Sequence, residues 1–111
     1  MSFALTVTQA LLENNGLDTR SITRLEVGTE TILDHSKSIK THLLDLFPDN
    51  PFLEGVDCIN ACFGATQALF NTVDYIRLHG GYGIVVATDV SVYGGPVCFM
   101  SFHFFFIVLI C

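Results

Sequence analysis

The chain has no tryptophan, three prolines and five Lys and Arg residues against eleven Asp and Glu, for a net charge of −6 over 111 residues. So few cations, without a basic cluster, argue against a nucleic-acid partner. The four cysteines, at 58, 62, 98 and 111, include no C-x-x-C pair. With His35, His42, His79 and His103 scattered, no zinc spacing emerges, so no metal is expected. Residues 1 to 20 are amphipathic and end in charged sequence, unlike a secretory leader. Unpaired thiols then fit a reducing, cytoplasmic setting. The length allows at most one modest domain, and half the residues are apolar, enough for a core.

What is present centres on residues 55 to 78. Gly55 to Asn60 reads as a short buried strand. Phe63 to Arg77 reads as a helix with Leu69, Val73 and Ile76 on one side. Cys62 falls at the junction, where free backbone N–H groups and the helix dipole favour a thiolate. The small residues Ala61, Gly64 and Ala65 leave room for a reactant to approach the sulfur. This is a strand-to-helix elbow with a candidate nucleophile. A lone cysteine among apolar residues is otherwise a small buried hydrophobe, and spacing alone leaves both readings open.

Upstream, residues 3 to 14 read as a helix with Phe3, Val7, Ala10 and Leu11 on one face, stopped by Asn15-Gly16. A short strand, Arg24 to Val27, leads into the turn Gly28-Thr29-Glu30-Thr31. Glu30 is a second candidate, because a carboxylate beside a thiol can shuttle a proton. Its plain alternative is a solvated turn residue. Residues 38 to 47 form another helix, with Ile39, Leu43, Leu46 and Phe47 as its apolar stripe and Ser36 or Ser38 as its cap. Lys37 and Lys40 read as a solvated face. Pro48-Asp49-Asn50-Pro51 is a surface break. Downstream, Ile84-Val85-Val86-Ala87 reads as a parallel strand buried on both faces, making residues 55 to 89 a β-α-β unit. In such sheets ligands sit beyond the carboxyl ends of the strands, where Cys62 lies. Asp89 to Tyr93 is expected to leave the sheet, with Gly94-Gly95-Pro96 as a turn.

Two blocks carry a family resemblance. Asn60-Ala61-Cys62-Phe63-Gly64-Ala65-Thr66 resembles the N-A-C-Y/F-G-G-T signature around the acetyl-accepting cysteine of hydroxymethylglutaryl-CoA synthases. Arg24-Leu25-Glu26-Val27-Gly28-Thr29-Glu30-Thr31, continuing to Thr41, is similar to the family's R-L-E-V-G-T/S-E-T segment. Gly83 to Tyr93 resembles the strand and turn that follow the cysteine helix. The resemblance covers residues 1 to 96 and implies a partial thiolase-like α/β fold, the β-α-β units of the family's N-terminal half. It implies an acyltransferase that condenses acetyl-CoA with acetoacetyl-CoA to 3-hydroxy-3-methylglutaryl-CoA, for the mevalonate and isoprenoid pathway. Cys62 would be the nucleophile and Glu30 the general acid/base. CoA thioesters would be the small-molecule partners, with no further cofactor, in a family that is commonly homodimeric. Phe63 removes a hydroxyl from the usual signature and Ala65 adds a methyl. The family's catalytic histidine and its R-P-T-G-G segment have no counterpart among these residues. L-E-V-G-T-E-T argues against another thiolase-fold condensing enzyme.

Residues 97 to 111 resemble nothing in that family. Five of the fifteen are phenylalanine, and the last charged residue of the chain is Asp89. The segment is too short to span a bilayer, which takes roughly 20 apolar residues. It reads as a divergent apolar tail from a truncated or mis-joined gene. Two alternatives to the enzyme therefore stand: an inactive fragment prone to aggregate through residues 97 to 110, and a tail that associates with membranes.

Overall fold

The computed structural model describes residues 2–30, 36–93 and 100–110. In chain order these form helix α1 (Ser2–Asn15), strand β1 (Ile22–Thr29), helix α2 (Ile39–Leu43), strand β2 (Glu54–Ile59), helix α3 (Gly64–His79), strand β3 (Tyr82–Tyr93) and strand β4 (Met100–Ile110). The strands make one sheet in the order β2-β1-β3-β4. β1 runs parallel to both β2 and β3, and β4 runs antiparallel to β3. The expected α/β class with a parallel β-α-β core is therefore present, with β1 lying between β2 and β3.

Alternation along β1 sorts the two faces of the sheet. Leu25 and Val27 join Ile84 and Val86 in a core closed by Ala4 and Leu12 of α1 and by Ile39, Leu43 and Phe47. Residues of the other parity meet α3. A Cβ on Gly83 would run into Thr72 and Ile76, and one on Gly28 into the backbone of Ala65. Helices thus cover both faces, as parallel strands require.

The buried helix faces differ from the expected ones. On α1 they are Ala4, Thr8 and Leu12, while Val7 is half-buried and Ala10 exposed. On α3 they are Gly64, Ala68, Thr72 and Ile76, with Leu69 and Val73 only half-buried. The buried threonines explain the shift. Thr8 donates its hydroxyl to Ala4 O at 2.7 Å and Thr72 to Ala68 O at 2.8 Å, so neither hydroxyl needs water. Small residues then bring each helix close to the sheet.

Helix ends are set by identifiable groups. Gly16, at φ 58°, donates to Glu13 O, and Leu17 donates to Leu12 O, which is a Schellman stop for α1. The N-cap residue of α2 is Ser38, yet its side chain makes no capping bond. Asp57 of β2 does that instead, accepting from Ile39 N at 2.6 Å and Lys40 N at 2.9 Å. Lys37 is exposed as expected, and Lys40 is half-buried. The helix is also shorter than expected, continuing as a 3-10 turn, Leu44–Leu46. In the following break Asn50 is structural, its amide donating to Thr19 O and Ile22 O.

β3 also corrects an expectation. Residues 89 to 93 stay in the sheet, pairing from Asp89↔Phe104 to Tyr93↔Met100. The apolar run 84–87 marks only the part of the strand that lies between two neighbours. Among the described residues, its continuation is paired by β4 alone. The expected turn at 94–96 lies outside the described residues.

Candidate functional site

The register of two parallel strands places the candidate pair. Gly28 faces Cys58 and Thr29 faces Ile59, so Glu30 and Asn60 leave the carboxyl ends of β1 and β2 side by side. The chain then turns abruptly. Ala61 takes φ 41°, a left-handed value that costs an L-residue about 1–2 kcal/mol. A 3-10 turn, Ala61–Phe63, carries Cys62 into the start of α3. Cys62 is exposed, and its Sγ lies 3.9 Å from Glu30 Oε2, within reach of a weak S–H donor. Two residues 32 positions apart in sequence therefore meet at the mouth of one elbow.

Glycines hold this approach. A Cβ on Gly64 would lie 2.8 Å from Cys58 O and 3.1 Å from Thr29 N and O. Gly28 touches the Ala65 backbone from the other side. The small size of Gly64 and Ala65 thus serves helix–strand contact. It seats the elbow on β1 and β2, while the Cys62 thiol itself stays exposed. Phe63, the next residue, is 46% exposed.

A second thiol–carboxylate pair lies four residues back along β1 and β2, and sequence reasoning missed it. Glu26 is fully buried on the α3 face of β1. Its Oε1 accepts from Arg24 Nε at 3.0 Å and Nη2 at 2.7 Å. Its Oε2 accepts from Cys58 Sγ at 3.4 Å, while Asn71 Nδ2 donates to that sulfur at 3.6 Å. Arg24 also reaches Glu54 at 3.5 Å and lies over the Tyr75 ring, 4.9 Å from its centroid. Burial, then the hydrogen bond to Glu26 and its charge, push the Cys58 thiol up to about 11. Cys58 is thus held protonated at neutral pH and is a poor nucleophile. The available signal was the Arg24-x-Glu26 spacing, which puts opposite charges on one strand face.

No cluster of His, Cys, Asp and Glu suited to a metal ion occurs among the described residues. Cys98, Cys111 and His35 fall outside them. No described helix is long and apolar enough to cross a membrane. A surface cavity of about 410 Å³ lies at the end of α1, lined by Gln9, Leu12, Glu13, Gly16, Leu17, Thr19 and Leu46. Neither Glu30 nor Cys62 contributes to it.

A parallel sheet covered by helices, with a thiol at the strand-to-helix elbow and a carboxylate delivered by the next strand, is a thiolase-like arrangement. The chain superimposes on the solved structure of MvaS in complex with 3-hydroxy-3-methylglutaryl coenzyme A with a TM-score of 0.84 and 29% identity, over 96% of this chain and 26% of that one. It is 52% identical over 95 residues to the hydroxymethylglutaryl-CoA synthase of Schizosaccharomyces pombe, covering 83% of this chain and 21% of that protein. It is 50% identical over 97 residues to the cytoplasmic hydroxymethylglutaryl-CoA synthase of Homo sapiens, covering 83% and 19%. The family description "Hydroxymethylglutaryl-coenzyme A synthase N terminal" matches residues 1–98. The chain belongs to the hydroxymethylglutaryl-CoA synthase family and corresponds to its N-terminal region. It spans about a fifth of the length of the curated relatives it matches.

Proposed function

We propose that this chain carries the acetyl-accepting half-site of a hydroxymethylglutaryl-CoA synthase, with Cys62 as nucleophile and Glu30 as general acid/base. The observation that supports this most is the 3.9 Å approach of the Cys62 thiol to Glu30 at the carboxyl end of two parallel strands. Acetyl-CoA is the donor substrate. The Cys62 sulfur adds to the thioester carbonyl, the bond to the CoA sulfur breaks, and the acetyl group stays on Cys62. A thioester acidifies its methyl protons, and Glu30 is placed to take one. The resulting carbon adds to the ketone of acetoacetyl-CoA, with a proton returned to the new alkoxide. Water then cleaves the Cys62 thioester and releases 3-hydroxy-3-methylglutaryl-CoA. The work belongs in the cytoplasm, in keeping with the free thiols of Cys58 and Cys62.

The test is incubation with acetyl-CoA and with a small acetyl thioester of N-acetylcysteamine, read by intact mass and peptide mapping. One acetyl group on Cys62 is expected, lost in Cys62→Ser. In Glu30→Gln the acetyl group still loads, while exchange of its methyl protons with heavy water falls at least about 100-fold. Absence of label on Cys62 from both donors, or equal labelling of Cys58, overturns the reading.

A further inference from the structure

The acetyl-transfer chemistry leaves the Cys58 thiol unused, yet its sulfur bonds in two directions. It donates to Glu26 Oε2 of β1 at 3.4 Å and accepts from Asn71 Nδ2 of α3 at 3.6 Å. Both of those partners are themselves held. Arg24 donates twice to the other oxygen of Glu26, a carboxylate with no exposure to solvent. Gln67 donates to Asn71 Oδ1 at 2.8 Å, so the amide turns its NH2 group toward the sulfur. Farther along α3, the Tyr75 ring meets the Arg24 guanidinium. Gln67, Asn71 and Tyr75 recur every fourth residue and share one side of α3. They form a polar seam beside the buried row Ala68, Thr72 and Ile76.

The two rows of contacts act differently. Burial of small side chains is non-directional and lets a helix slide on a sheet. Hydrogen bonds fix position and direction. The seam has one anchor on each of three elements: Glu26 on β1, Cys58 on β2 and Asn71 on α3. The same elements carry the half-site. Glu30 directly follows β1, and Cys62 lies in the turn from β2 into α3. Asn71 sits about two turns into α3. The 3.9 Å from Cys62 Sγ to Glu30 is long even for a thiol donor, so a shift of α3 by about 1 Å breaks it.

We infer that Cys58 is a positioning residue for the half-site: joined to Glu26 and to Asn71, it pins α3 along the strands and so holds Cys62 within reach of Glu30. This role rests on the functions proposed above for Cys62 and Glu30.

The experiment compares iodoacetamide with iodoacetate on the full chain at low ionic strength, with alkylation of Cys62 followed by peptide mapping. Both reagents use the same thiolate, so the ratio of their rates reports the charge beside it. Glu30→Gln is expected to lower the preference for the neutral reagent about 3-fold, the effect of one carboxylate about 6 Å away in water. In Cys58→Ala and in Asn71→Leu, at matched folded fraction, the same Glu30→Gln change is expected to make no difference. Cys58→Ser keeps a donor and an acceptor at that point and should retain the response. Gly16→Ala, at the end of α1, lowers stability only and should retain it too. No acetyl donor is used, so a chain that fails to acetylate counts against the proposed function and not against the pin. Three results overturn the role: no response in the wild type, a full response in Cys58→Ala and Asn71→Leu, or a response lost in Cys58→Ser or Gly16→Ala.

Discussion

Cys58 Sγ lies 3.4 Å from Oε2 of Glu26, a carboxylate with no exposure to solvent. The same 32-residue spacing puts Cys62 beside Glu30, but there both groups are exposed. One pair is therefore structural and the other open to reactants. With Cys58 pushed up to about 11, its thiolate fraction at pH 8 is about one in a thousand, against roughly a quarter for an ordinary cysteine. Iodoacetamide at pH 8 is expected to modify Cys62 in the folded chain and to leave Cys58 intact. In urea the Cys58 rate should rise on the order of 100-fold. Peptide mapping with and without urea checks this, and equal folded-state rates at the two cysteines would refute the burial argument.

The same shift sets a pH dependence. A thiol whose folded pKa is raised binds its proton more tightly in the folded than in the unfolded chain. Stability from Cys58 is therefore complete below about pH 8.5 and is lost as pH climbs toward about 11. The wild type should lose more melting temperature between pH 8 and pH 10.5 than Cys58→Ala, whose site has no proton to lose. Parallel slopes in calorimetry would show that Cys58 does not couple to folding.

Arg24 and Glu26 form the ion pair of the same network. Removing the guanidinium in Arg24→Met leaves a buried carboxylate with only a weak thiol donor. Such unpaired charges cost about 3–5 kcal/mol, here toward the lower end because Arg24 keeps 19% exposure. Adding Glu26→Leu removes the stranded charge, so the double variant should recover at least half of the loss. Urea denaturation of the two variants decides the matter, and additive losses would exclude coupling.

How much of this was legible follows from the range of the interactions. Local signals worked: the Gly16 stop, the apolar run at 84–87 and the break at 48–51 each act within a few residues. The two motifs placed Cys62 and Glu30, and strand register explains why they meet. What stayed hidden depends on distant partners. Thr8 and Thr72 look like surface residues until their hydroxyls are seen bonded one turn back, which rotates both helix faces. Asp57 caps α2 from 18 residues away. Asp89 to Tyr93 form strand only because β4 lies beside them. Gly64 and Ala65 also serve as contact points for the backbones of β1 and β2, which no local pattern shows.

That contact makes a prediction about the elbow. Gly28→Ala places a methyl into the backbone of Ala65, which no side-chain rotation relieves. The N-terminus of α3 must move off β1, at a cost of about 1–3 kcal/mol. Cys62 rides on that helix start, so its 3.9 Å approach to Glu30 is lost as well. Gly16→Ala is the control. Nothing lies within 4 Å of its Cβ, and only the φ of 58° is unfavourable, for about 1 kcal/mol. Both variants should be less stable, yet only Gly28→Ala should change acetyl transfer to Cys62. Equal acetylation at equal folded fraction would mean that the seat of α3 on β1 does not set the geometry of the thiol.

Asp57 provides the last case, because it separates a cap from the residue at the cap position. Ser38 occupies the N-cap of α2 and would be chosen from sequence, but its hydroxyl pairs with Thr41 Oγ1 at 2.6 Å and leaves the helix N–H groups to Asp57. The Asp57 carboxylate accepts from two N–H groups of a five-residue helix, and it also ties that helix to β2. Asp57→Ala is expected to cost about 1–2 kcal/mol, and Ser38→Ala well under half of that. Hydrogen exchange gives the sharper readout: the amides of Ile39 and Lys40 should lose protection in Asp57→Ala and keep it in Ser38→Ala. The reverse order would show that the serine, in spite of its geometry, carries the cap.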